Sequence, residues 1–322
     1  MKFIGILCVF LALAMIFTPL LSLKDEKPSP IEEKTESVFL QSGEKAPQNI
    51  SVYLTKKGKT EKMSLSDYVT LSVCAEISPN YEPQAIMAQA VACRTYALYM
   101  LKNGSYDKAD ISDDYTVHQG FIPKSELKEK WGDKFDVYFE KISSCVKAVE
   151  DKAIACDGRI IQPAFFALCC GQTENASDVW GGEVKYLKSV VSPGDELSEN
   201  LTSVVDMTES EFESCCKKLK NCTLPDDKTK WIGKAERTQA GAVKQIAVGN
   251  GTYGGAEMQK AFELKSNNFT LEHNGDSFVF TVVGSGHGVG MSQYGADFMA
   301  RRGSNYEEIL KHYYTGVEIV DF

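Results

Sequence analysis

Two stretches hold residues whose types and spacing suit chemistry. The first runs from Cys74 to Leu101, CAEISPNYEPQAIMAQAVACRTYALYML, and carries a carboxylate, Glu76, just ahead of a chain break at Pro79. At a helix C-terminus the backbone dipole disfavours negative charge, so the carboxyl pKa rises, which suits a general acid. A solvated helix-end carboxylate, or a salt-bridge partner for Arg94, is the plainer reading of the same residue. The second stretch is Gly284 to Ala296, GSGHGVGMSQYGA, with glycine at 284, 286, 288 and 290. Such spacing lets a backbone approach a ligand closely and adopt angles other residues avoid. His287 sits among these glycines, and Ser292, Gln293 and Tyr294 follow directly.

Other chemistries compete for the same residues. A nucleotide-binding loop would need GxGxxG, but Val289 and Met291 stand where the third glycine would fall, and too little chain follows for a dinucleotide domain. His287 alone reads more simply as a structural hydrogen-bonding residue than as a catalyst. Cys74 or Cys169 with His287 would make a thiol nucleophile pair, yet Cys74 and Cys93 fit better as small core residues.

The surrounding pattern supplies the scaffold for Glu76. A helix begins near Ser64 or Ser66, either of which can cap it, and ends at Glu76. A longer helix starts near Glu82-Pro83, with proline suited to the first turn, and stops at Asn103-Gly104. Ile86, Ala90, Cys93, Ala97 and Leu101 recur at steps of three and four, which marks a buried face. Arg94 lies on the neighbouring stripe, which puts a guanidinium beside the core in need of a partner. Ser125 to Glu150 reads as helix broken around Trp131-Gly132. From Ala153 onward the period shortens. Hairpins are expected at Asp157-Gly158, around Gly241 and at Asn274-Gly275, with a strand from Phe165 toward Cys169-Cys170. Capping boxes are expected at Thr208/Glu211 and Ser304/Glu307. The fold class is therefore α+β, with N-terminal helices packed on hairpin-rich antiparallel β structure, preceded by a transmembrane helix.

Bulk properties narrow the function. The chain has 322 residues, is 43% hydrophobic and carries a net charge of −9. Its basic residues are dispersed, so nucleic acid is not an expected partner, while an uncharged polymer such as a glycan suits this surface. Residues 1–23 hold an apolar run after Lys2 that is long enough to span a bilayer. A membrane anchor is the expectation, a cleaved signal peptide the alternative. Residues 24–49 read as a flexible stalk rich in Lys, Glu, Pro and Ser. Residues 50–322 form the main domain, with 195–230 as a helical insertion. Of ten cysteines, Cys8 lies in the anchor and nine remain outside. No CxxC occurs, which leaves a four-thiolate zinc site without support. Cys215, Cys216 and Cys222 are close enough in sequence to form a bridge in an oxidising space.

Three motifs together carry a resemblance. AQAVACRTYA (Ala88 to Ala97), FFALCCGQTENASDVWG (Phe165 to Gly181) and GHGVGMSQYGA (Gly286 to Ala296) resemble the stage II sporulation protein D family, which includes amidase-enhancer relatives. The resemblance extends from about Ser51 to the C-terminus. It implies a lytic transglycosylase that cleaves peptide-stripped peptidoglycan strands during engulfment. It further implies work beside a partner amidase and a polytopic membrane scaffold, with the catalytic domain held outside the cell membrane by a single pass, on the mother-cell side of the intermembrane space. The alternative implied by the amidase enhancers is a non-catalytic wall-binding module. Glu76 matches the family's acid/base, and Arg94, Tyr96, His287, Ser292, Gln293 and Tyr294 match positions assigned to the glycan groove. A transglycosylase needs one carboxylate, whereas a hydrolase would need a second; Asp113, Asp114 and Asp178 are the options. Some members hold zinc with a Cys and a His four residues apart. The corresponding loop here, ISDDYTVHQG, has His118 and no Cys, so no metal or other cofactor is expected.

Overall fold

The computed structural model describes residues 46–322, apart from 105 and 276. The anchor expected at 1–23 and most of the stalk lie outside the described residues. Among the described residues, no helix is long and apolar enough to cross a membrane.

The chain opens with a hairpin, β1 (Asn49–Leu54) and β2 (Lys59–Ser64), turned at Gly58. Ser64 then caps α1 (Leu65–Glu76), its Oγ accepting the Asp67 N–H at 3.0 Å. The long helix α2 (Pro83–Asn103) follows. Every residue of α2 from Ala88 to Thr95 is buried, which exceeds two helical turns and leaves no solvent face there. Alanines at 85, 88, 90, 92 and 97 let neighbours pack close to its backbone. Those neighbours are α1, α4 (Phe135–Ala148), α8 (Gln293–Arg301), α9 (Tyr306–Tyr313) and β4 (Lys152–Cys156). Thr95 ties the helix to β4: its Oγ1 donates to the Val91 carbonyl at 2.6 Å and accepts the Ile154 N–H at 3.0 Å.

Between α2 and α4 lie β3 (Ile111–Ser112) and α3 (Lys124–Trp131). The helix break expected at Trp131-Gly132 is present, with Gly132 at φ 49°. β4 turns into β5 (Arg159–Ile160) through Asp157 at φ 51° and Gly158 at φ 72°, the positive pair of a type I′ turn. The chain then contributes β6 (Phe165–Phe166) and α5 (Ala176–Trp180).

Residues from 202 to 283 build a second lobe with its own core. It contains β7 (Thr202–Thr208), α6 (Glu209–Cys216), β8 (Ile232–Arg237), β9 (Val243–Val248), β10 (Gly251–Gly254), α7 (Gly255–Ala261), β11 (Phe269–His273) and β12 (Ser277–Val283). Two antiparallel sheets, ordered β10-β9-β8 and β11-β12-β7, enclose Phe212, Trp231, Phe262, Phe278 and Phe280. The Phe212 and Phe278 rings stack at 4.0 Å. The main body's core draws only on residues before and after this span. Where the lobe begins and ends, the Gly284 N–H donates to the Leu201 carbonyl at 2.7 Å. The chain closes through β13 (Met291–Ser292), α8, α9 and β14 (Glu318–Asp321), which pairs with β4.

The α+β expectation holds, with departures. The sheets are small and mostly antiparallel, but β1 pairs β3 in parallel and β6 pairs β13 in parallel. The strand expected from Phe165 to Leu168 stops at Phe166, because Leu168 makes only an isolated bridge with Ser285. β7 and β10 were not expected: the valines of TSVVDMT are adjacent rather than alternating, and GTYG is too short to show a period. The Thr208/Glu211 capping box forms as expected. The last box is shifted by one residue: Asn305 Oδ1 accepts the Glu308 N–H and Glu308 Oε2 accepts the Asn305 N–H, both at 2.9 Å. Replacing Asn305 with Ala should therefore cost about 1 kcal/mol in urea unfolding, while Ser304→Ala should change stability by less than about 0.5 kcal/mol.

Candidate active site

Glu76 is the last residue of α1, and Ile77 leaves the helix extended. The carboxyl is half-buried. Its Oε1 accepts a hydrogen bond from the Gly120 N–H. Burial pushes the carboxyl pKa up, and the Gly120 bond pulls the other way. That bond fixes which oxygen accepts and leaves Oε2 to carry the proton. A Cβ at Gly120 would stand 2.7 Å from Oε1 and 3.1 Å from Cδ of Glu76, so a larger residue would displace the carboxyl.

The Gly120 loop is clamped from several sides. Gln119 Nε2 donates to Tyr68 Oη at 3.0 Å and to the Cys93 carbonyl at 3.1 Å, so one amide joins α1 to α2. Phe121 stacks on Tyr68 at 5.7 Å. His118 Nδ1 accepts the Ser112 N–H at 3.2 Å, which places its proton on Nε2. Burial lowers the His118 pKa, opposed by Asp114, so the ring serves as a neutral acceptor at the loop's base. On the other side of Glu76, Lys141 Nζ donates to the Pro79 and Tyr81 carbonyls at 2.9 and 2.6 Å, strapping the outgoing loop to α4.

The structure separates the residues that sequence grouped together. Tyr96 stays with Glu76: burial raises its phenol pKa first, and the Glu76 charge adds to the rise. Arg94 points elsewhere. It lines a cavity of about 400 Å³ with Leu65, Val69, Ala90, Val146, Val149 and Glu150, and Nη2 donates to the Phe322 carbonyl. Burial lowers its pKa, while Asp151 and Glu150 oppose the fall, so these acids rather than Glu76 balance the guanidinium.

His287 lies in the glycine-rich loop against Trp180 and Phe166, with ring centroids at 5.0 and 5.8 Å. Its Nδ1 accepts the Val289 N–H at 3.1 Å. Burial pushes the imidazole down to about 4, with the Phe165 backbone acting the other way. This histidine is neutral at physiological pH and holds the loop. Gly284, Gly286 and Gly290 press on the chain's own 164–168 segment, and Gly288 faces the Glu174 side chain. Gly290 has φ 82°, and a Cβ there would lie 2.0 Å from the Ala164 carbonyl oxygen.

Ser292 is fully buried and caps α8. Its Oγ accepts the Gly295 N–H at 3.2 Å and donates to Asp195 Oδ1 at 2.9 Å. Asp195 Oδ2 takes the Cys169 thiol at 2.8 Å. Burial raises the Asp195 pKa, and its hydrogen-bond donors hold it down. Gln293 bridges α8 to α2 through Gln89 Oε1 at 3.4 Å. Tyr294 is half-buried and close to Tyr81 of the loop leaving Glu76. Burial pushes the Tyr81 phenol up to about 12, with Asp297 and Tyr294 adding to the rise.

No second carboxylate accompanies Glu76 among the described groups that shift its pKa. Asp113 accepts the Thr55 N–H and hydroxyl, Asp114 those of Thr116, and Asp178 the Asn175 amide. Cys169 is bonded to Asp195 and Cys74 is buried with its pKa pushed up to about 12, so neither is paired with His287 as an activated thiol. Sequence reasoning missed Gly120, Gln119, Lys141, Trp180 and Asp195. Trp180 lay inside a quoted motif, and Gln119 and Gly120 close the quoted loop, but a contact across 44 positions leaves no local signal.

A family model described as stage II sporulation protein matches residues 53–155, which take in Glu76, Tyr96 and Gly120. The chain belongs to the stage II sporulation protein D family. Stage II sporulation protein D of Bacillus subtilis (strain 168) is 33% identical over 302 residues, covering 92% of this chain and 86% of that protein. The Bacillus amyloliquefaciens protein of the same description is 34% identical over 278 residues, covering 85% and 79%. The amidase enhancer of Bacillus subtilis (strain 168) is 24% identical over 297 residues, covering 77% of this chain and 39% of that protein.

Two stability effects follow. The folded chain holds the Glu76 proton more tightly than the unfolded one, so that stabilisation is complete at low pH and lost as pH rises through the raised value. Glu76→Gln should thus melt higher than wild type at neutral pH, with the gap closing below about pH 4. Gly120→Ala should cost about 1–3 kcal/mol by overpacking, read in the same melts.

Proposed function

We propose that this chain is a membrane-anchored peptidoglycan lytic transglycosylase acting in sporulation. The observation that supports this most is a half-buried carboxyl of raised pKa, pinned on one oxygen by Gly120, with no carboxylate among the described groups that shift it. Chemistry with one such group is self-consistent. Glu76 Oε2–H protonates the glycosidic oxygen as the C1–O bond breaks. The resulting carboxylate then takes the proton from the sugar's C6 hydroxyl as that oxygen bonds to C1. The product is a 1,6-anhydro-muramic end, Glu76 regains its proton, and no water is consumed. A hydrolase would need a second carboxylate to activate water. Tyr96 and Tyr294 supply aromatic surfaces suited to sugar faces. A net charge of −9 suits an uncharged glycan better than a polyanion.

Sporulation as the setting follows from the relatives named stage II sporulation protein D. The finer proposals are a single-pass anchor at residues 1–23, a catalytic domain on the mother-cell side of the intermembrane space, and a preference for strands stripped by a partner amidase within a complex built on a polytopic scaffold. The second reading, a wall-binding module that localises or stimulates an amidase, draws on the likeness to the amidase enhancer.

The test incubates the full-length protein with peptide-free glycan strands and reads products by mass spectrometry. New anhydro-muramic ends are expected, with Glu76→Gln slowing their release about 10²–10⁴-fold. The wild-type rate should fall as pH rises past the Glu76 pKa, because the acid form acts first. Reducing ends would indicate hydrolysis. Strands bound but uncut by both proteins would favour the module.

A further inference from the structure

We infer that Cys216 and Cys222 are the site of a reversible intramolecular disulfide, with Cys215 remaining a thiol. Three cysteines fall within eight residues here, and sequence alone allows any pair. The fold distinguishes them. Adjacent residues on a helix point about 100° apart, so Cys215 and Cys216 cannot share a direction. Cys216 ends α6 and faces the second lobe's core, only 2% exposed, while Cys215 stays half-buried at its edge.

The chain beyond Cys216 makes two consecutive turns. The Leu219 N–H donates to the Cys216 carbonyl at 3.0 Å, and the Cys222 N–H to the Leu219 carbonyl at 3.4 Å. Asn221, at φ 56°, takes the left-handed conformation that asparagine tolerates. These turns carry Cys222 back to the same core that Cys216 enters, so that the two thiols are neighbours there. Cys222 also lies against Tyr253 and the Val248 carbonyl, at the edge of β9 and β10. A bond between the sulfurs would pin the end of α6 to that edge.

Exposure sets the order of events. Half-exposed Cys222 attacks a small-molecule disulfide such as oxidised glutathione, forming a mixed disulfide and releasing one glutathione thiolate. Cys216 then attacks the Cys222 sulfur and releases the second. Two protein protons leave, and the two electrons lost by the protein thiols end on the two glutathione thiols. Lys217, Lys218 and Lys220 are exposed around the turn and attract an anionic reagent. Among the described residues no group of three or more His, Cys, Asp or Glu side chains could hold a metal, so these thiols have no assembled metal site to serve.

The experiment equilibrates the full-length protein in reduced or oxidised glutathione, alkylates free thiols and maps peptides by mass spectrometry. The expected result is a Cys216–Cys222 link with alkylated Cys215, retained in Cys215→Ser and lost in Cys222→Ser. The oxidised wild type should melt higher than the reduced, with the shift erased by dithiothreitol and absent from Cys222→Ser. Cys222 is half-exposed, so this variant is expected to fold even if the buried Cys216→Ser is not. A Cys215–Cys222 link, an intermolecular dimer, or three alkylated thiols in the oxidising buffer would each overturn the assignment.

Discussion

A helix buried around its whole circumference has to be covered on every side by something else in the chain, and α2 imposes that demand here. With Ala88 through Thr95 all inaccessible, the chain must bring α1, α4, β4, α8 and α9 against one rod. Those elements come from positions as far apart as Leu65 and Tyr313. The small side chains along α2 let the coverings come close. The polar residues among them, Thr95, Gln89 and Arg94, then need partners on the covering elements, which they find in Ile154, Gln293 and Phe322. Covering this helix therefore determines where α1 ends, and so where Glu76 stands.

Two carboxyls meet desolvation with different numbers of hydrogen-bond donors. Asp195 is surrounded by donors from Ser292, Cys169 and Ser192, which offset its burial and fix the turn that launches α8. Glu76 receives one N–H and remains half-open to solvent. The first arrangement ties a carboxyl into the fold by several hydrogen bonds, although burial still leaves its pKa raised. The second leaves a carboxyl whose pKa burial raises, with one oxygen committed and the other available. Geometry with the same logic appears in the histidines, His118 and His287, both of which accept a backbone N–H through Nδ1 and stay neutral.

Local signals were legible wherever the physics is local. Ser64 and Thr208 cap the helices that follow them, Gly132 breaks a helix, and Asp157-Gly158 turns a hairpin, because each acts within a few residues. Glu76 was readable as a helix-end carboxyl for the same reason. The grouping of Arg94, Ser292 and Gln293 with it was not a structural reading, and the fold disperses them: direction around a helix and the partner across the core decide where such side chains go. Likewise, the two-residue pairings of β3 with β1 and β6 with β13 are too short for periodicity to register. Gly120 illustrates the remaining gap, since its contact is with a carboxylate 44 positions earlier.

The hydrogen bond between Leu201 and Gly284 bears on how such a chain is assembled. The second lobe leaves and rejoins the main body at neighbouring residues, and β7 and β12 run on from that point as paired strands. For the main body, the intervening residues amount to one long loop whose ends are already held together. The entropy of closing a loop grows only slowly with its length, so a body that tolerates a short turn there tolerates a whole lobe at small added expense. Length, sheet number and cysteine content can therefore drift within the lobe while the scaffold under Glu76 keeps its register. That junction is where members of such a family can diverge in size without moving the carboxyl.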